Sequence, residues 1–191
     1  MQNIYLLLMA GHETTINLIT STVHALLENS EKLATVLDGS HSWSKVIVES
    51  LSCASPVRYG LMRYATQTED RDGIDVLETK IIPGEAVIVG HYASGRDPEI
   101  HEHSERLDLN RCSHQHLAFG YGAHCCLGAA LGELEAEVVV GQLFARFPDV
   151  ILATTDAIPT VGSILLYGLQ RLPASLRAGV QTGVKEVAIR A

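Results

Sequence analysis

Residues 119–132 read F-G-Y-G-A-H-C-C-L-G-A-A-L-G. Gly120 and Gly122 loosen a loop, and Cys125 and Cys126 follow directly before a run of small, helix-compatible residues. A cysteine at a helix start meets backbone N–H groups and the positive end of the helix dipole, which favour a thiolate. From chemistry alone such a loop can bind a metal or iron centre, supply a nucleophile, or simply pack.

Working outward, the chain divides into helices on either side of a strand-rich middle. Ile4, Leu7, Leu8, Ile16, Leu18, Ile19, Val23, Leu26 and Leu27 recur at helical spacing and predict a long helix to about Leu27. It begins apolar with no cap or lead-in, which predicts a missing N-terminal half. Asn29 or Ser30 caps a short helix through Leu37 with Gly39 as its stop, and a further helix runs from Ser42 to Cys53, ended by Pro56. Residues 57–66, 74–77 and 86–91 read as short strands with turns at Asp72–Gly73 and Pro83–Gly84. Residues 94–118 form a long irregular stretch, and Leu127–Phe147 resumes as a helix burying Leu131, Leu134, Val138, Leu143 and Phe147. Ile151–Ala153, Ile164–Tyr167 and Ser175–Leu176 are weak terminal strands, with a turn at Asp156–Pro159. The fold expected is mainly α with small antiparallel β-sheets.

The 191 residues suffice for one domain with a real core, and 47% hydrophobic against 19% charged residues fit a globular chain. A formal charge of −8 argues against nucleic acid as a partner. Four cysteines, two of them adjacent, do not form a disulfide framework and point to reducing, cytoplasmic conditions. The opening apolar run meets His12 and Glu13 too soon to span a bilayer, so no membrane segment is expected.

The full spacing Phe119-x-x-Gly122-x-x-x-Cys126-x-Gly128 resembles the haem-binding signature of cytochrome P450 monooxygenases, closest in texture to the soluble bacterial type. By that resemblance Cys126, not Cys125, is the axial iron ligand of haem b, and a thiolate there favours O–O cleavage. Phe119 would shield the proximal side, Gly122 permit a tight turn, and Gly128 allow the following helix to approach the porphyrin. His124, His116 and Arg63 would contact the haem propionates. Upstream, Ala10-Gly11-His12-Glu13-Thr14-Thr15 resembles the family's oxygen-activation segment. Gly11 would make room over the iron, Thr14 organise water and oxygen, and Glu13 belong to the proton-delivery network. Arg96-Asp97-Pro98 resembles a structural motif of the same family, and Arg111 would stabilise the loop.

The resemblance covers residues 3 to about 177, as the C-terminal part of the family's fold, with 178–191 as a poorly packed tail. It implies insertion of one atom of O2 into a small organic substrate, with NAD(P)H-derived electrons from a ferredoxin or flavoprotein reductase. A complementary N-terminal portion or an oligomer is implied as a further partner. One position departs: the family's Glu-x-x-Arg pair falls on Glu49-Ser50-Leu51-Ser52, so serine stands where a guanidinium is usual. That substitution predicts a broken network, with Glu49 needing another partner or a raised pKa. Two other readings compete. One is a haem-binding remnant without turnover. The other is a zinc-binding interaction module built from His101-x-His103, His114-x-His116 and His124 beside Cys125–Cys126.

Overall fold

The apolar spacing of the N-terminal segment folds as one unbroken helix, α1, Gln2–Glu28, in which Gly11 is accommodated without a break. The computed structural model describes residues 2–66, 74–76, 79–111 and 116–176. The turn at Asp72–Gly73, His114 and the tail at 178–191 lie outside the described residues. Helix α2, Ser30–Leu37, starts after Asn29, whose side chain turns back to donate to Ala25 O instead of capping. Gly39, at φ 83°, ends it as the sequence predicts. Helix α3, Trp43–Cys53, is capped by Ser42 Oγ, which accepts from Lys45 N–H.

The strand-rich middle is thinner than expected. β1, Arg63–Tyr64, pairs antiparallel with β4, Ala86–Val87, and β2, Ile74–Val76, pairs with β3, Thr79–Ile81, which the sequence reading did not foresee. Residues 57 and 166 form an isolated antiparallel bridge, flanked by Arg58 N–H to Leu165 O and Tyr167 N–H to Pro56 O, both at 2.8 Å, so the expected strand at Ile164–Tyr167 survives only as this short pairing. A four-residue helix, α4, His91–Ser94, opens the irregular stretch. Helix α5, Ala129–Arg146, follows the cysteine loop, and β5, Ile151–Leu152, pairs antiparallel with β6, Ala174–Ser175.

The core lies where α1, α3 and α5 meet. Leu18, Leu26, Val46, Ile47, Leu51, Ala136, Val140 and Phe144 are all buried there, and Trp43 stacks on Phe144 with ring centroids 5.7 Å apart. Full burial of each large side chain is worth roughly 1.5–3 kcal/mol. The buried stripe of α5 is only partly the one expected: Leu143 and Phe147 pack half-buried against the core. Leu131, Leu134 and Val138 are 60%, 56% and 52% exposed, while Gly132, Ala136, Val140 and Phe144, spaced by four, face inward. Helix α5 has two apolar faces; on the inner one Gly132 lies beside Thr15 of α1, while Gly141 and Phe144 lie against Trp43 of α3. A Cβ at Gly132 would stand 3.9 Å from Thr15 Oγ1.

Glu49 has the other partner that the sequence requires of it. It is fully buried, and Arg111 Nε donates to both its oxygens at 3.0 and 3.2 Å, while Asp108 N–H donates at 2.9 Å. Arg111 also binds the carbonyls of Glu102, His103 and Arg106, so one guanidinium holds both the carboxylate and the irregular stretch. Arg96 Nε donates to Cys53 O at 2.7 Å, tying that stretch to the end of α3. Gly95 makes the approach possible, since a Cβ there would overlap Ser52 O.

Candidate functional site

The cysteine loop is built by its own backbone. Gly120 and Gly122 take left-handed φ values of 73° and 71°, a region most side chains avoid. Gly120 N–H donates to Leu117 O and Cys125 N–H to Gly122 O, which closes a single 3₁₀ turn over Gly122–His124. Cys126 N–H then reaches back to Phe119 O at 2.8 Å. That bond fixes the direction of the thiol at the head of α5. A Cβ at Gly128 would stand 4.0 Å from Cys126 Sγ, so the missing side chain leaves the sulfur's flank clear.

Around this turn the surface is open and apolar. Cys125, Cys126 and His124 are exposed, and so are Tyr121 at 88% and Leu127 at 96%. Phe119 is half-buried beneath the loop, its ring 5.9 Å from that of His116. His116 Nδ1 accepts from Ala118 N–H at 3.3 Å, which puts the imidazole proton on Nε2.

The acid–alcohol segment of α1 is brought to the same end of the molecule. Thr15 packs against Gly132, one turn into the helix that Cys126 heads. Thr14 is half-buried, and its hydroxyl donates to Ala10 O at 2.7 Å, keeping its lone pairs as acceptors. Glu13 is exposed, and no atom stands within 4 Å of the place a Cβ would take at Gly11. Arg63 sits on a different element, exposed on β1 opposite Val87.

Two features escaped the sequence reading. Tyr59, Gly60, Leu61, Met62, Ile88, Ile164 and Leu165 line a hollow of about 390 Å³, almost wholly apolar. Its walls come from three separate segments, so no local pattern could reveal it. The second is His91, whose ring lies between Gly60 and Gly120 of the cysteine loop. A histidine directly after the apolar run Val87–Val89 and Gly90 was the available signal.

Nearby ionisable groups respond to burial. The Cys53 thiol is pushed up to about 11 by burial, with the Glu49 charge adding to the effect. Burial also raises Tyr92, partly offset by the Arg96 guanidinium 4.6 Å above its ring. Among the described residues, no three His, Cys, Asp or Glu side chains gather to hold a metal ion, and His101 is buried. The zinc module therefore gains no support among the described residues; its His114 lies outside them. No described helix is long and apolar enough to cross a membrane.

Comparison with known proteins places these features in context. The family model for cytochrome P450 matches residues 43–170. Cytochrome P450 107B1 of Saccharopolyspora erythraea is 40% identical over 171 residues, covering 89% of this chain and 41% of that protein. The cytochrome P450 monooxygenase PikC of Streptomyces venezuelae is 37% identical, covering 94% of this chain and 42% of its own. Among solved structures, CYP154A1 from Streptomyces coelicolor superposes with a TM-score of 0.85 at 37% identity, over 92% of this chain and 44% of that one. The chain therefore spans about two fifths of the length of the curated relatives it matches.

Proposed function

Because the chain belongs to the cytochrome P450 family, we propose that it supplies the haem-thiolate half of a monooxygenase acting on a small organic substrate. The observation that carries this reading is one juxtaposition. The loop that presents Cys126 and the α1 turn that presents Thr14 meet at the start of α5, through Thr15 and Gly132.

The residues present fit a haem. An exposed cysteine sulfur has its flank cleared by Gly128 and apolar Leu127 beside it, which suits a flat apolar ring carrying a metal at its centre. Cys126 would hold the iron, with Phe119 beneath the loop keeping water from the sulfur. His124, His116 and Arg63 would hold the two propionate carboxylates, where hydrogen bonds to an ionised group are stronger than neutral ones. Bound haem b would supply reductive activation of O2, for the balance RH + O2 + 2 electrons + 2 protons giving ROH and water. The chain's own part is positioning and proton supply. Thr14 Oγ1, already committed as a donor to Ala10 O, offers its lone pairs to a water. Glu13, one residue before it and exposed, would take a proton from solvent and pass it on.

The hollow lined by Leu61, Met62, Ile88, Ile164 and Leu165 favours an apolar substrate, since desolvating such walls rewards apolar contact. Electrons would come from NAD(P)H through a ferredoxin or flavoprotein reductase. The exposed apolar faces, Ile4–Met9 on α1 and Leu131, Leu134 and Val138 on α5, support a complementary N-terminal portion or an oligomer as a partner. A second reading, a haem-binding remnant without turnover, draws on Ser52 at the usual arginine position. Haem titration of the chain, alone and mixed with the N-terminal portion of a relative, tests the first reading. Stoichiometric uptake with O2- and reductant-dependent oxygenation of an apolar substrate is expected. Uptake without oxygenation in the complemented protein favours the remnant, and no uptake in either defeats both.

A further inference from the structure

A second, smaller hollow adjoins the apolar one. Arg58, Tyr59, Tyr92 and Ala93 line its space of about 240 Å³, and Tyr59 lines both hollows. Four side chains run in a row beside it. The Arg58 guanidinium lies 5.3 Å from the centre of the Tyr167 ring, and that ring lies 5.0 Å from the ring of Tyr92. The Arg96 guanidinium closes the row, 4.6 Å from the centre of Tyr92. The order in space is cation, ring, ring, cation.

The row carries two positive charges and no negative one. Neither Arg58 nor Arg96 forms an ion pair among the described residues, although the chain as a whole has a formal charge of −8. Arg96 is engaged within the fold, its Nε donating to Cys53 O at 2.7 Å and its face covering Tyr92. Arg58 is not. Its half-buried side chain makes no hydrogen bond among the described residues, and its Nε is enclosed. The terminal nitrogens are therefore the ones that can meet a ligand in the hollow that Arg58 lines. A guanidinium so placed has lost part of its hydration without recovering it, and an anion of matching shape restores the difference. Burial raises the Tyr92 phenol above its ordinary range, and the Arg96 and Arg58 charges offset only part of that, so it keeps a proton to donate.

The lining selects among anions. One free guanidinium matches a single negative charge, and its planar edge pairs with the two oxygens of a carboxylate. The ring of Tyr59 and the methyl group of Ala93 add apolar surface, which suits a flat ring attached to the acid. The space is below the roughly 300–1,000 Å³ of drug-sized ligand sites, which limits the guest to about one ring. We propose that this hollow binds a small aromatic carboxylate, held by the Arg58 guanidinium and bounded by Tyr59, Tyr92 and Ala93. The site is independent of the haem reading, since none of these residues belongs to the cysteine loop or to the acid–alcohol segment of α1.

The test titrates benzoate into the full 191-residue chain by calorimetry at fixed ionic strength, with benzamide and inorganic phosphate as comparison probes. Benzoate is expected to bind one to one. Benzamide, which keeps the ring and the shape but lacks the charge, is expected to bind about tenfold more weakly. Arg58→Met keeps the aliphatic stem and removes the guanidinium, and should weaken benzoate about tenfold, equivalent to about 1.4 kcal/mol. Circular dichroism checks each variant for helix content. Should Arg58→Met fail to fold, Ala93→Leu decides, because its larger side chain fills the hollow from an exposed position and leaves Arg58 in place. Weakened benzoate binding in the deciding variant supports the proposal, and unchanged binding overturns it. Failure of benzoate to bind the unsubstituted chain also overturns it, as does benzamide binding equally well. Phosphate binding more tightly than benzoate overturns the choice of a carboxylate. Haem uptake does not enter these readouts, so this proposal and the haem reading fail separately.

Discussion

Glu49 and Cys126 sit at opposite extremes of enclosure. Glu49 is fully buried, with a guanidinium and a backbone N–H on its carboxylate. Cys126 is exposed, its position set by one backbone bond to Phe119 O and its neighbour Leu127 almost entirely in the open. The Glu49 knot is closed by this chain alone. The cysteine loop is shaped by this chain but presented outward, to whatever covers that face. Stability and site chemistry therefore reside in different places, and a substitution at one should leave the other largely intact.

The sharpest way to break that contrast is at Arg111. Arg111→Met leaves a buried carboxylate without its guanidinium, a loss of roughly 3–5 kcal/mol, read as a lower urea midpoint. Pairing it with Glu49→Gln should restore much of the midpoint, because a neutral amide is far cheaper to bury. An unmoved midpoint in Arg111→Met would mean that the knot does not hold the fold. A smaller effect is expected at Gly95, where the added methyl group meets the backbone of Ser52. Gly95→Ala should cost roughly 1–3 kcal/mol by overpacking, measured in the same titration.

Alkaline pH sharpens the comparison from the thiol side. Cys53 stays protonated in the folded state up to about 11, whereas in the unfolded chain it ionises near about 8.5. Raising the pH thus favours the unfolded chain. The contribution is full below the unfolded value and is lost as pH climbs to about 11. Urea midpoints across that window should fall for the unsubstituted chain and fall less for Cys53→Val. Equal slopes would contradict the burial argument. The smallest effect belongs to the outer face of α5. Leu134→Gln should change stability by less than about 0.5 kcal/mol, while reducing self-association in sedimentation. A loss as large as that of the buried Val140→Ala would show that this face is covered.

Much of this contrast was legible in the chain. The spacing of Ile16, Leu18, Val23 and Leu26, the stop at Gly39 and the Ser42 cap define α1 to α3 because helix signals are local. The cysteine loop was legible for the same reason, as its glycines and its cysteine lie within ten residues of one another. What was not legible depends on distant packing. The choice of the Ala136–Val140–Phe144 stripe over Leu131–Leu134–Val138 depends on the helices packed on α5, as the stacking of Trp43 from α3 on Phe144 shows. The pairing of Glu49 with Arg111 joins residues 62 apart, so Ser52 called for another partner without revealing which residue it is. His91 was passed over because its setting comes from two glycines on other segments.

The central claim, that the exposed sulfur at the head of α5 is the iron ligand, is tested most directly by carbon monoxide difference spectra of the reduced, haem-loaded chain. Cys126→Ala and Cys125→Ala are compared side by side. Loss of the thiolate-type Soret band in Cys126→Ala, with the band retained in Cys125→Ala, is the predicted result; its loss in Cys125→Ala alone would contradict the assignment.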